Sequence, residues 1–252
     1  MTGDEYVQSI ITKYRTPTGP NSAAARAATW AAAHASAWAG QFLRENVLAG
    51  SYAKGTAIHG VTDVDLFVSL KEDTPGTLAE LYNGLFDFLH ANGLTPRKQD
   101  VSIGLEHDDM KIDVVPGRKQ RGNTDHSLYR RKANTWVQTN IDIHVTTVVS
   151  SGRVNEISAL KIWAIEHELD FCSFYLELSV IESLRQSATP SVATNVLTAL
   201  RYFATRLPTA RVVDPANSNN VVSDTLTRPE KVRIADLAAV SAAQPMWGSI
   251  IW

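Results

Sequence analysis

Apolar and polar positions alternate with a period of two in two key stretches, and with a period near 3.6 over much of the rest. In the first stretch Val64, Leu66 and Val68 alternate with Asp63 and Asp65. Residues two apart in a strand share a face, so the aspartates project together while the aliphatic side chains enter a core. The second stretch, Met110 to Pro116, reads MKIDVVP, with Met110, Ile112 and Val114 on one face and Asp113 on the other. Helical spacing surrounds these strands. Residues 4–14 form a short helix, ended by the Pro17-Gly19-Pro20 cluster. Asn21 or Ser22 then caps an Ala-rich helix reaching about Leu48, with Gly50 as its breaker. Leu78, Leu81, Leu85 and Leu89 mark the buried stripe of a helix over 74–92, which Gly93 ends.

Further along, 94–105 reads as a strand and turn. Glu106, His107, Asp108 and Asp109 form the polar turn of a hairpin, not a ligand cluster, because they precede the strand that carries Asp113. From about Ile141 the pattern is helical, with a break at Leu169-Asp170 and a further helix from Ser191 to Thr205. Arg228 to Ala243 forms a last amphipathic helix. Beyond it, Pro245-Met246-Trp247, Ile250, Ile251 and Trp252 dock back on the core.

Composition narrows the class. The chain has 252 residues, enough for one large domain or two small ones, and a net charge of −2, so the whole molecule is no electrostatic trap for nucleic acid. A single cysteine, Cys172, excludes an internal disulfide and a cysteine-based zinc site. The first residues, MTGDEYVQ, lack the layout of a secretion signal, and no apolar run could span a bilayer. The expectation is a soluble, cytoplasmic protein.

The aspartates change the picture. Two like charges side by side at a strand end repel unless a cation lies between them. A hard divalent ion such as Mg²⁺ suits carboxylate oxygen and keeps positions for water and phosphate. If the MKIDVVP strand lies beside the first, Asp63, Asp65 and Asp113 converge, and three such carboxylates can hold two cations roughly 4 Å apart. Gly50-Ser51 upstream supplies backbone N–H groups and a small hydroxyl for phosphate oxygens. The pattern points to metal-dependent phosphoryl or nucleotidyl transfer. His34, between Trp30 and Trp38 at i, i+4 spacing, reads as a packed histidine. Residues 118–132 carry Arg118, Lys119, Arg121, Arg130, Arg131 and Lys132, with His126 and Tyr129 interleaved. They suit an RNA, an oligonucleotide or a triphosphate tail, and equally a solvated loop. Trp136 reads as structural.

Gly50-Ser51, Gly55-Thr56, Asp63-Val64-Asp65 and the later Asp113 together resemble the polymerase-β-like nucleotidyltransferase superfamily. The similarity is to its branch of oligoadenylate synthases, cyclic GMP–AMP synthases and bacterial cyclic-oligonucleotide synthases (CD-NTases), whose core archaeal-type CCA-adding enzymes share. The resemblance extends to Lys161 and Ser173, the latter within Ser173-Phe174-Tyr175-Leu176-Glu177. Cys172 stands where the family often has proline. It also takes in Asp214-Pro215-Ala216-Asn217 with Asn220-Val221, although Asp-Pro followed by asparagines is also ordinary turn chemistry.

The resemblance implies a mixed α+β fold: a polymerase-β-like nucleotidyltransferase sheet with helices over 1–135, and a helical C-terminal lobe over 136–252, with the nucleotide between them. It implies two Mg²⁺ or Mn²⁺ ions on Asp63, Asp65 and Asp113, and ATP or another NTP as substrate. Gly50, Ser51, Lys161 and Ser173 would contact the triphosphate, and Asn217 and Asn220 the base side. The implied product is a cyclic or linear oligonucleotide messenger of antiviral defence. The alternatives are transfer to an RNA 3′ end or to a protein, and a catalytically silent nucleotide- or RNA-binding scaffold.

Overall fold

The computed structural model describes all 252 residues. The chain opens with α1 (Gly3–Lys13) and α2 (Ala23–Ala39), then β1 (Leu43–Leu48), the short α3 (Gly50–Lys54) and β2 (Val64–Leu70). Next come α4 (Leu78–Ala91), β3 (Arg97–Lys98), β4 (Ile103–His107), β5 (Met110–Lys119), β6 (His126–Arg130) and β7 (Thr135–Thr139). Helices follow: α5 (Ile141–Ser150), α6 (Val154–Glu166), α7 (Ser173–Ser183) and α8 (Val192–Arg206). The hairpin β8 (Val213–Asp214) and β9 (Asn217–Val221) precedes the last helix, α9 (Arg228–Ala242). The protein is a mixed α+β fold.

Its contacts divide it into two compact units. One comprises Pro17–Ala53 and Val61–Val145; the other comprises Met1–Thr16, Lys54–Gly60 and Thr146–Trp252. The family resemblance implies a single cut near residue 135. Instead α1 and the Lys54–Gly60 segment belong with the C-terminal helices. Val7, Ile10 and Ile11 of α1 and Ile58 join their hydrophobic cluster, and Arg15 bridges Ile58 through the backbone.

The first unit is a seven-stranded sheet in the order β1-β2-β5-β4-β3, with β6 on β5 and β7 on β6. β2 and β5 run parallel; β1 is antiparallel to β2, and β4 to β5. Val64, Leu66 and Val68 are buried as their alternation requires, with Ile112 and Val114 beside them. Asp63 flanks the strand rather than lying in it, since β2 begins at Val64. The opposite face is also covered further along, where Ala49, Phe67 and Leu128 form a small core.

Several boundaries differ from the sequence reading. The Ala-rich helix ends at Ala39, not near Leu48, because Gly40 takes a positive φ of 53° and the following residues pair with β2. Its buried face is Ala24, Ala27, Ala31, Ala35 and Ala39, small side chains that allow close packing. Trp30, His34 and Trp38 are only half-buried, and Trp30 stacks on His107 with centroids 4.2 Å apart. On α4 the buried stripe is Tyr82, Leu85 and Leu89. The Asp108-Asp109 pair turns a β4–β5 hairpin with positive φ at both residues. The supposed basic loop is largely strand: β5 continues to Lys119 and β6 pairs with it.

The second unit is a helical bundle around Ile157, Leu160, Trp163, Tyr175 and Phe203. Ile250 and Ile251 dock into the same core, and the Trp163 indole donates to Ser241 Oγ at 2.9 Å.

Candidate active site

One row across the sheet carries two of the candidate aspartates. Asp65 and Asp113 are register partners on parallel β2 and β5, and Gly104 is the partner of Asp113 on β4. Neighbouring strands lie about 4.8 Å apart, and registered residues share a face. Glycines flank the two aspartates. On the β2 side Gly50, with φ of +57°, lies against the Asp65 carboxylate; a Cβ there would stand 1.7 Å from Oδ2. The Ala49 N–H donates to the Asp65 carbonyl at 2.8 Å, which draws this turn to the strand. On the other side a Cβ at Gly104 would meet Gln99 Nε2 at 2.8 Å and Asp113 Oδ1 at 3.6 Å.

Asp63, two residues ahead of Asp65, adds its charge to the same end of the sheet. Burial first, and then the Asp63 carboxylate, raise the pKa of Asp113; hydrogen bonds from Ser102 and Gln99 and the charge of Arg97 oppose this. The Tyr52 phenol is raised by burial and by the same Asp63 charge. Asp63, Asp65 and Asp113 are all half-buried.

The residues fit a hard divalent cation in their chemistry: oxygen donors only, on one edge, with a like-charge cost that a cation would relieve. They do not form a closed cage, since no three His, Cys, Asp or Glu side chains are gathered at metal-ligating distance. Ser51 is buried in α3, one residue beyond Gly50.

The remaining candidates lie in the helical unit, each with local partners. Lys161 is buried, its Nζ 3.4 Å from Glu177 Oε1 and from Thr56 Oγ1. Glu177 is fully buried; it accepts from Lys54 Nζ at 2.8 Å and from Thr56 Oγ1 at 3.0 Å. Ser173 is the exposed first residue of α7, following the N-cap Cys172. Asn217 Oδ1 accepts from the Asn219 N–H, and Asn220 Nδ2 donates to Asp214 Oδ2, so both asparagines shape the β8–β9 hairpin.

The basic segment is tied down more than its composition suggests. Arg118 donates to the Thr74 and Gly76 carbonyls, Arg131 to the Gln99 carbonyl, and Arg130 pairs with Asp100 at 3.4 Å. Arg121 and Lys132 face solvent, as does Trp136, which is 57% exposed rather than packed. Sequence reasoning missed Gln99, Gly104, Lys54 and Glu177. Only Glu177 carried a signal, as the last residue of the stretch that begins at Ser173.

The fold and the aspartate row define a nucleotidyltransferase-type protein. Residues 39–202 match the model of the Nucleotidyltransferase domain family, and the chain belongs to that family. No curated protein matches it in sequence. Among solved structures it is similar to E. coli MS115-1 CdnC with ATP, at TM-score 0.75 and 17% identity over 98% of this chain and 96% of that one. It is also similar to the Bradyrhizobium diazoefficiens CD-NTase CdnG in complex with GTP, at TM-score 0.77 and 12% identity over 96% and 91%. The Cid1 poly(U) polymerase bound to MgATP gives TM-score 0.68 and 13% identity over 97% and 96%. The chain is a nucleotidyltransferase. No helix is long and apolar enough to cross a membrane.

Proposed function

We propose that this enzyme joins nucleoside triphosphates with release of pyrophosphate, making a cyclic or linear oligonucleotide. The observation that carries the reading is the registered pair Asp65 and Asp113, flanked by Gly50 and Gly104 and charged further by Asp63. Mg²⁺ or Mn²⁺ held by Asp63, Asp65 and Asp113 would supply charge neutralisation at the α-phosphate and the leaving pyrophosphate. In this reading Asp113 also accepts the proton of the attacking ribose hydroxyl. The bond formed joins that oxygen to the α-phosphorus, and the bond broken frees pyrophosphate.

Gly50 lets the backbone approach Asp65, and Ser51 follows it as a donor for phosphate oxygen. Lys161 is proposed as a phosphate contact on the resemblance. The structurally similar CdnE proteins of Elizabethkingia meningoseptica and Rhodothermus marinus are a cyclic dinucleotide synthase and a c-UMP-AMP synthase, which favours an oligonucleotide product here. A second reading, addition to an RNA 3′ end, is favoured by a similar full-length likeness to an RNA terminal U-transferase, at TM-score 0.65.

The test is incubation with each labelled NTP and Mg²⁺ or Mn²⁺, with and without RNA, followed by chromatography. Short or cyclic products without RNA support the first reading, and extended RNA the second. Nucleotide binding without pyrophosphate release would make the protein a scaffold and overturn both.

A further inference from the structure

We infer that Gln99 is a positioning residue for Asp113, holding its carboxylate in one orientation through a turn built for that purpose. The inference rests on the reading of Asp113 as a metal-binding carboxylate. Gln99 Nε2 donates to Asp113 Oδ1 at 2.7 Å. An amide can flip and present its oxygen instead, which would set oxygen against carboxylate oxygen. The carboxylate, an acceptor only, selects the N–H side, and the Ser102 hydroxyl lies 3.0 Å from Gln99 Oε1 at the other end of the amide. Gly104 makes room, since any Cβ there would stand 2.8 Å from the Gln99 amide nitrogen.

The turn itself is fixed from several sides. The Gln99 N–H donates to the Ser102 carbonyl at 3.0 Å, and the hydroxyl of buried Tyr82 lies 3.0 Å from the carbonyls of both Gln99 and Ser102. The tip of the β6–β7 hairpin grips the outer side. Arg131 Nε donates to the Gln99 carbonyl at 2.8 Å, and the Lys132 N–H to Asp100 Oδ1 at 2.8 Å. An exposed glutamine on a free loop would sample many rotamers. This one hangs from a turn held by a helix, a hairpin and its own backbone, and its amide meets one carboxylate oxygen. Hydrogen-bonded partners of this kind orient a metal-binding carboxylate, and their loss weakens metal affinity or activity by about 10–100-fold.

The test uses the full chain with Gln99→Leu and Gln99→Met, which keep the bulk and remove the donor, and Ser102→Ala, which removes the contact at the other end of the amide. Mn²⁺ binding is read directly by electron paramagnetic resonance, alongside thermal melts and turnover against metal concentration. The expected result is Mn²⁺ affinity lowered about tenfold by both Gln99 variants and less by Ser102→Ala, with melting unchanged. Turnover at low metal falls and recovers as metal is raised, a rescue that a general structural defect would not show. Wild-type Mn²⁺ affinity and metal dependence in both Gln99 variants would overturn the inference. Weakened Mn²⁺ binding in these variants, with no pyrophosphate release by the wild type, would uphold the positioning role and overturn the nucleotidyl-transfer reading.

Discussion

Gly50 and Asp65 meet so closely that a Cβ on the glycine would stand 1.7 Å from the carboxylate Oδ2. Gly50 also holds a φ of +57°, a conformation that costs an L-residue about 1–2 kcal/mol before any clash. Gly50→Ala is therefore expected to lose at least that much stability and to displace Asp65. Urea unfolding and turnover check this together. Unchanged stability and unchanged turnover would show that the turn adapts freely.

Glu177 is the hub of the helical unit's buried charges, with Lys54 on one oxygen and Lys161 and Thr56 on the other. Removing one partner of a buried ion pair typically costs about 3–5 kcal/mol, because the remaining charge is stranded. Glu177→Ala strands two ammonium groups and is expected at the upper end. Lys161→Met leaves Glu177 its closer partner Lys54 and should cost less. In that variant a KM for NTP that rises more than kcat falls would mark a phosphate contact; an unchanged KM would leave Lys161 a purely structural role.

Burial drives the His126 pKa down to about 4, with the positive charges of Arg44 and Lys119 acting in the same direction and Asp142 and Asp125 against it. The ring is neutral in the folded protein at neutral pH and lies 2.8 Å from Ser69 Oγ through Nε2. A histidine depressed in the folded state binds its proton more readily when unfolded, so the unfolded state gains protons first as pH falls. Stability is thus full above the ordinary value of 6.5 and declines as pH falls toward 4. Unfolding midpoints at pH 7 and pH 4.5 should show the drop, and His126→Asn should flatten it. Equal slopes in variant and wild type would contradict this.

Asp113 has the opposite sign. A carboxylate raised by burial and by Asp63 holds its proton more tightly in the folded state, so stability falls as pH rises through the window above its ordinary value. Asp113→Asn removes that penalty and keeps an oxygen for the Gln99 amide. The expected variant is more stable than wild type at neutral pH and inactive. A less stable Asn variant would mean that the Asp113 charge is compensated within the fold.

The candidate aspartates could be picked out of the sequence because their pattern is local. Two aspartates at i, i+2 before an aliphatic run, and a third in a second alternation, name themselves through pattern and charge. The neighbours of those aspartates were not readable. Gln99 acts through a turn that Tyr82 and Arg131 hold from distant positions, and Gly104 matters only because of its register with Asp113. The burial of Lys161 was not readable either: only tertiary packing shows that α6 is buried nearly all round. The strand after Gly40 was hidden because Leu43–Leu48 continues the helical composition while pairing with β2. The β6–β7 hairpin was hidden by its arginines and lysines, which carry polar tips on a paired backbone.

The central claim is that Asp65 and Asp113 form one metal-dependent site for nucleotidyl transfer. Pyrophosphate release from labelled NTPs under Mg²⁺ or Mn²⁺ tests it most directly, with wild type and Asp65→Asn side by side and folding checked by thermal melt. The account predicts release by wild type and a loss of about 10³-fold or more in a folded Asp65→Asn, the scale expected when transition-state charge stabilisation is removed. A folded Asp65→Asn that releases pyrophosphate near the wild-type rate would contradict it.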